Sequence, residues 1–184
     1  MDNIEFVKNV LSSTLVVTFF STILTLIFSI VLKKFEYKNE YYKKILDKRL
    51  EAYKFLEIQI AVLKNTVVDT DKQPYHMMFS YGEDEFYEFQ RNLNSAFAYS
   101  IWIHQDTVSE MENLNQIFFK ISQRITEGKD EQLVELGKEY YKDVASSRIK
   151  MEDLVRRDLL NLHDLTKFMK GQKRRGMRVF YIDK

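Results

Sequence analysis

The run from Val10 to Leu32, VLSSTLVVTFFSTILTLIFSIVL, holds no ionisable residue, no proline and no glycine. At 1.5 Å per residue, a helix over these positions reaches roughly 34 Å, enough to cross a hydrocarbon core of about 30 Å. A soluble helix seldom needs so long an apolar stretch. A cleaved secretion signal fits poorly too, because Asp2 and Glu5 stand where a basic leader belongs and no small-x-small site follows Leu32. The run therefore predicts a single-pass membrane helix.

The flanks orient it. Asp2, Glu5 and Lys8 precede the run, whereas Lys33, Lys34, Lys38, Lys43, Lys44, Lys48 and Arg49 follow it with Glu36, Glu40 and Asp47 between them. The excess of lysine on the carboxyl side predicts an outside amino terminus and a cytoplasmic body on the inner, cytoplasmic membrane. Within the run, Thr14, Thr18, Ser21, Thr22, Thr25 and Ser29 fall inside an arc of about 100° when each residue turns the helix by about 100°. Such hydroxyls can simply bond back to the carbonyl four residues earlier. They can also face other copies of the chain or line a wet lumen, with Leu, Ile, Val and Phe left to the lipid. A pore built this way has no charged ring, so weak discrimination among ions is expected.

At 184 residues the chain has room for this anchor and one domain of about 150 residues. The net charge of +1 excludes a generally basic nucleic-acid binder and leaves any such contact local. Without cysteine there are no disulfides, thiol nucleophiles or thiolate metal sites. One proline and five glycines in the whole chain favour a helical body. The expected organisation is residues 1–34 as flank and membrane helix, 35–170 as a four-helix bundle, and 171–184 as a basic tail.

Along the body, Leu46, Leu50, Tyr53, Leu56, Ile60, Leu63 and Val67 recur at helical spacing and predict the first bundle helix, continuous with or gently bent from the membrane helix. Residues 66–84 carry Asp69, Asp71, Pro74 and Gly82 and read as a loop. Its apolar Tyr75, Met77, Met78, Phe79 and Tyr81 are expected to pack on a neighbour, and the spacing of Asp69, Asp71 and His76 matches no standard metal site. A second helix is expected from Glu83 to Gln105, with Phe86, Phe89, Leu93, Ala96 and Ile103 on its buried side. A third, capped by Asp106 or Thr107, carries Val108, Met111, Leu114, Phe118, Ile121 and Ile125 up to Gly128. The fourth and longest runs from Asp130 to Lys170. The expected fold class is all-α, an antiparallel four-helix bundle behind one membrane helix.

Late in that last helix stand Arg156, Arg157, Asp158 and His163. Arg157 followed by Asp158, with five residues between Arg157 and His163, resembles the Arg-Asp-His signature of the HEPN superfamily (higher eukaryotes and prokaryotes nucleotide-binding). Arg156 offers an alternative register. A guanidinium can clamp phosphate and an imidazole can move a proton near neutral pH, although an Arg and a His at this spacing also arise readily on any structural helix. The resemblance implies that two bundles pool Arg157 and His163, and in catalytic members of that superfamily such a pair cleaves RNA without metal. Together with the single membrane span and the chain length, the layout resembles the small membrane accessory proteins of type VI-B CRISPR systems. That resemblance implies a homo-oligomer, expected as a ring in the bilayer, that forms a pore and strengthens antiviral defence alongside an RNA-guided, RNA-targeting effector. No cofactor or metal is implied. The alternatives are a membrane-tethered ribonuclease using Arg157 and His163, which makes RNA a partner, and a non-conducting single-pass scaffold. The tail residues Lys173, Arg174, Arg175 and Arg178 solvate a terminus or meet RNA, another subunit or anionic headgroups.

Overall fold

The computed structural model describes residues 3–125 and 130–171. They are mostly helical, in the order α1 (Asn3–Lys64), β1 (Thr66–Val68), β2 (Pro74–His76), a 3-10 turn (Met77–Ser80), α2 (Glu83–Ala96), a second 3-10 turn (Phe97–Trp102), α3 (Gln105–Ser122), α4 (Asp130–Glu139), α5 (Tyr141–Leu160) and α6 (Leu165–Gly171). The chain divides into two compact units, the first ending at Lys44 and the second beginning at Ile45.

In the first unit, α1 is long and apolar enough to cross a membrane. Every side chain from Ser12 to Tyr41 is exposed. Thr18, Thr22 and Thr25 donate their hydroxyls to the carbonyls of Thr14, Thr18 and Ser21, each at 2.8 Å. No hydroxyl proton of these three is left to a second helix, while each oxygen keeps an accepting lone pair.

In the second unit, the rest of α1 buries Ile45, Arg49, Ala52, Tyr53, Leu56, Ile60 and Leu63. This seam differs from the expected one at Leu50, which is 48% exposed, and at Leu46, only half-buried. Spacings of four and three residues starting from Ile45 follow the same 3.6 period one position earlier, and Arg49 earns its buried place by stacking rather than by being apolar.

Residues 66–84 are more ordered than a loop. Thr66 pairs with His76 and Val68 with Pro74 in an antiparallel hairpin, closed by Asp69 N–H to Gln73 O at 3.1 Å and Lys72 N–H to Asp69 O at 2.8 Å. Asp69 and Asp71 turn to Lys138 of α4, at 2.7 and 3.9 Å, and Asp69 is the first cause of a Lys138 ammonium held above its ordinary pKa. The apolar residues after the hairpin divide: Tyr75, Met78 and Phe79 enter the core, whereas Met77 and Tyr81 stay exposed. Phe79 stacks on Phe118 and meets Phe86.

The second helix ends at Ala96 rather than Gln105. The tighter 3-10 turn and an extended Ile103 bring Phe97 and Ile103 into the core. The cap of α3 is His104, whose Nδ1 accepts from Asp106 N–H at 3.3 Å, while Thr107 is buried with its hydroxyl directed elsewhere. Gly128 lies outside the described residues. The single long helix expected from Asp130 to Lys170 is three helices. Between α4 and α5 the chain kinks at Tyr140, though Tyr140 N–H to Leu136 O at 2.9 Å and Val144 N–H to Tyr140 O at 3.0 Å carry the ladder through. Between α5 and α6 it turns fully, with Asn161 donating to Arg157 O and Asp164 accepting from Lys167 N–H.

Two positions in this core lend themselves to measurement. A Cβ at Gly137 would stand 2.7 to 2.9 Å from the Phe79 ring and Cβ, so glycine is needed for α4 to reach the turn after the hairpin. Gly137→Ala should lower stability by about 1–3 kcal/mol by overpacking, despite the better helix propensity of alanine, read by chemical denaturation. His76 is 1% exposed, its ring tilted against that of Tyr141 with centroids 5.0 Å apart, and neither ring nitrogen completes a well-formed hydrogen bond, although the Leu63 and Tyr141 backbone lies near. Burial, with Arg148 adding to it, holds the imidazole below its ordinary value of 6.5. The unfolded chain therefore binds a proton that the folded one refuses. Stability should be full above that value and fall as the pH drops through it, and His76→Gln should flatten the fall in denaturation curves taken at successive pH values.

Candidate functional site

At the carboxyl end of α5 a cavity of about 250 Å³ opens between that helix, α6, the start of α3 and Arg49 of α1. Arg157 and Asp158, adjacent in sequence, take opposite roles there. Asp158 points inward and is 4% exposed. Its Oδ2 accepts from Tyr53 Oη at 3.0 Å and from Thr107 Oγ1 at 2.6 Å. Tyr53 Oη in turn accepts from the His104 backbone N–H at 3.2 Å. Burial, with the Asp158 charge beside it, pushes the Tyr53 phenol up to about 12, so it stays a donor. A buried carboxylate is tolerable only with such partners.

Arg157 is about half-exposed and gives Nη2 to Asp106 Oδ2 at 2.9 Å, while its Nε stands 3.7 Å from Asp158 Oδ1. The guanidinium is thus flanked by two carboxylates, which leaves it less available to a phosphate than an unpaired arginine. His104 borders the same cavity, but its Nδ1 serves as the α3 cap. Arg49 closes the floor. Its Nη1 donates to Leu162 O at 2.9 Å and its guanidinium lies 4.0 Å from the centre of the Phe168 ring, pinning the turn and α6 to α1.

His163 sits in the turn after α5, exposed, and does not line the cavity that holds Arg157. Arg156 faces another groove, between α1 and α5. Arg157 and Asp158 are thus brought together, while His163 and Arg156 are not with them. Thr14, Thr18, Ser21, Thr22, Thr25 and Ser29 are all exposed in the first unit. Among the described residues no group of three His, Cys, Asp or Glu side chains could hold a metal ion. The tail residues Lys173, Arg174, Arg175 and Arg178 lie outside the described residues. Arg49, His104 and Asp106 escaped the sequence reading as site residues: Arg49 lies far along the chain from the other two, and Asp106 was expected only as a cap of the third helix.

No protein family model, no curated protein and no solved structure matches the chain.

The two neighbours on α5 should respond differently to substitution. Asp158→Ala leaves the buried Tyr53 and Thr107 hydroxyls without their acceptor and should cost about 3 kcal/mol. Arg157→Ala removes a solvent-exposed pair and should cost less than about 1 kcal/mol. Urea titrations of both variants beside the parent protein measure the contrast.

Proposed function

We propose that this protein is a membrane-anchored accessory protein of a type VI-B CRISPR system. In this reading its cytoplasmic helical body, a HEPN-like bundle, gathers copies whose apolar helices form a pore. Permeabilising the inner membrane then strengthens defence by the RNA-guided, RNA-targeting effector. The observation that carries the membrane part is the uncovered apolar surface of α1: Leu15, Val17, Phe19, Phe20, Leu24 and Ile30 are each more than half exposed, with no protein packed on them. Apolar surface on this scale needs lipid or another helix, and the hydroxyl stripe supplies the one face suited to neighbours or water. The lysines after Leu32 support the orientation with the amino terminus outside.

The ribonuclease reading draws on Arg157 at the mouth of a cavity. Within one copy its guanidinium is taken by Asp106 and His163 lies outside the cavity, so acid–base cleavage would need a histidine from another copy.

The two readings separate in one set of measurements on cells expressing the effector. Thr18→Leu with Thr25→Leu should abolish membrane depolarisation while insertion is unchanged, since the span only becomes more apolar. Arg157→Ala and His163→Ala should weaken protection against phage through assembly rather than through lost RNA cleavage. Parent protein that never conducts in bilayers leaves the scaffold. RNA cleavage by the parent that either substitution abolishes, with assembly intact, makes the protein a nuclease.

A further inference from the structure

α1 does not end where its apolar run does. It continues unbroken past Leu32 to the end of the first unit at Lys44, so helical register fixes which face each charge beyond the run occupies. At about 100° per residue, Lys34, Lys38 and Tyr41 share an arc of about 60°, with Lys33 and Tyr37 beside them. Glu36 and Glu40 stand together on the opposite face, joined farther along by Lys43. All of these side chains are exposed. Lys34 lies four residues before Lys38, and Glu36 four before Glu40. Like charge thus stacks on like, which weakens a solvated helix instead of steadying it. No ion pair among the described residues engages Lys33, Lys34 or Lys38. Lys38 Nζ stands 5.4 Å from the centre of the Tyr42 ring, a contact that steadies the side chain without using its N–H donors.

The face also has a defined height. In a bilayer spanned by the apolar run, the Cα atoms of Lys34 and Lys38 lie about 3 and 9 Å beyond Leu32, and the headgroup layer outside the hydrocarbon core is about 5–8 Å deep on each side. Side chains on a helix lean toward its amino end, here the membrane, which returns both ammonium groups to the headgroups. Tyr37 and Tyr41 are of the residue type that settles at that level. We propose that this face binds an anionic phospholipid of the leaflet next to Leu32, with its phosphate between Lys34 and Lys38 and the two glutamates turned away. A second copy of the same face would be repelled by it. A soluble nucleic acid would have to compete for lysines that the bilayer brings to its own phosphates. The lipid site rests on the membrane reading of α1 given above and needs neither a pore nor catalysis.

The test places the full-length protein in phosphatidylcholine nanodiscs holding a trace of spin-labelled phosphatidylglycerol or spin-labelled phosphatidylcholine, and compares the immobilised fraction of each label. The parent should favour the anionic label by about threefold or more, and less as salt is raised. Lys34→Gln with Lys38→Gln should remove the preference. Lys43→Gln with Lys44→Gln takes away the same charge farther from the membrane and should leave it, as should Lys34→Arg with Lys38→Arg, which keeps the charge in place. A parent without preference overturns the lipid site, while the anchor stands if alkaline carbonate fails to strip the protein from cell membranes. Equal loss in the two glutamine variants makes the effect one of net charge and overturns the assignment to this face. If the parent shows no lipid preference but binds single-stranded RNA in detergent, and Lys34→Gln with Lys38→Gln abolishes that binding, the partner is nucleic acid and the lipid site is wrong. A parent that carbonate strips from cell membranes overturns the lipid site and the membrane reading together.

Discussion

The Asp158 carboxylate ties together three helices that are far apart in sequence. Tyr53 reaches it from α1, Thr107 from α3, and it stands on α5 itself. A carboxylate that is 4% exposed needs partners: both hydroxyls donate to one of its oxygens, and the Arg157 guanidinium stands 3.7 Å from the other. The constraint propagates. Tyr53 also accepts the His104 N–H, which places the start of α3, and His104 then caps that helix. Asp106, two residues on, comes into reach of Arg157. The cavity at the end of α5 is thus a consequence of one buried carboxylate and the polar chain around it, rather than of apolar packing alone.

A similar arrangement occurs nearer the start of α5. Glu110 of α3 is 3% exposed, and burial works to raise its carboxyl. Lys150 at 2.6 Å, Ser147 at 2.5 Å and Asn113 at 2.9 Å together hold it below the ordinary range. The α3 and α5 pair is therefore registered at two heights by carboxylates pointing in opposite directions, one from each helix. Sliding either helix by a turn would leave a buried charge unpaired, which is far costlier than exchanging one apolar contact for another.

Much of this architecture was legible in the sequence where a single period or composition decides it. The Val10–Leu32 run, the buried phenylalanines of α2 and the stripe of α3 through Ile121 all follow from spacing. The boundaries were harder because they depend on tertiary partners. Nothing local distinguishes Arg49 as a core residue, since its place comes from Leu162 and Phe168 more than a hundred residues away. The break after Leu160 had a local signal in Asn161 and Asp164, both residues that bond to nearby backbone, but the surrounding helix formers outweigh it. That break is why His163 leaves the helix that carries Arg157, and why a motif read as a one-helix pattern spreads over a turn.

The order in which these partners are synthesised has its own consequence. The seam on α1 from Ile45 to Leu63 emerges early, yet Tyr53 waits 105 residues for Asp158, Arg49 waits 113 for the Leu162 carbonyl, and Lys64 waits 88 for Glu152. Until α5 and the turn after it leave the ribosome, the growing chain carries an amphipathic helix with a stranded arginine and an uncovered apolar face. Contacts of such sequence separation slow folding and prolong exposure of sticky surface. A nascent chain of this design has to be kept from its neighbours until α5 and the turn after it complete the core begun by its first helix.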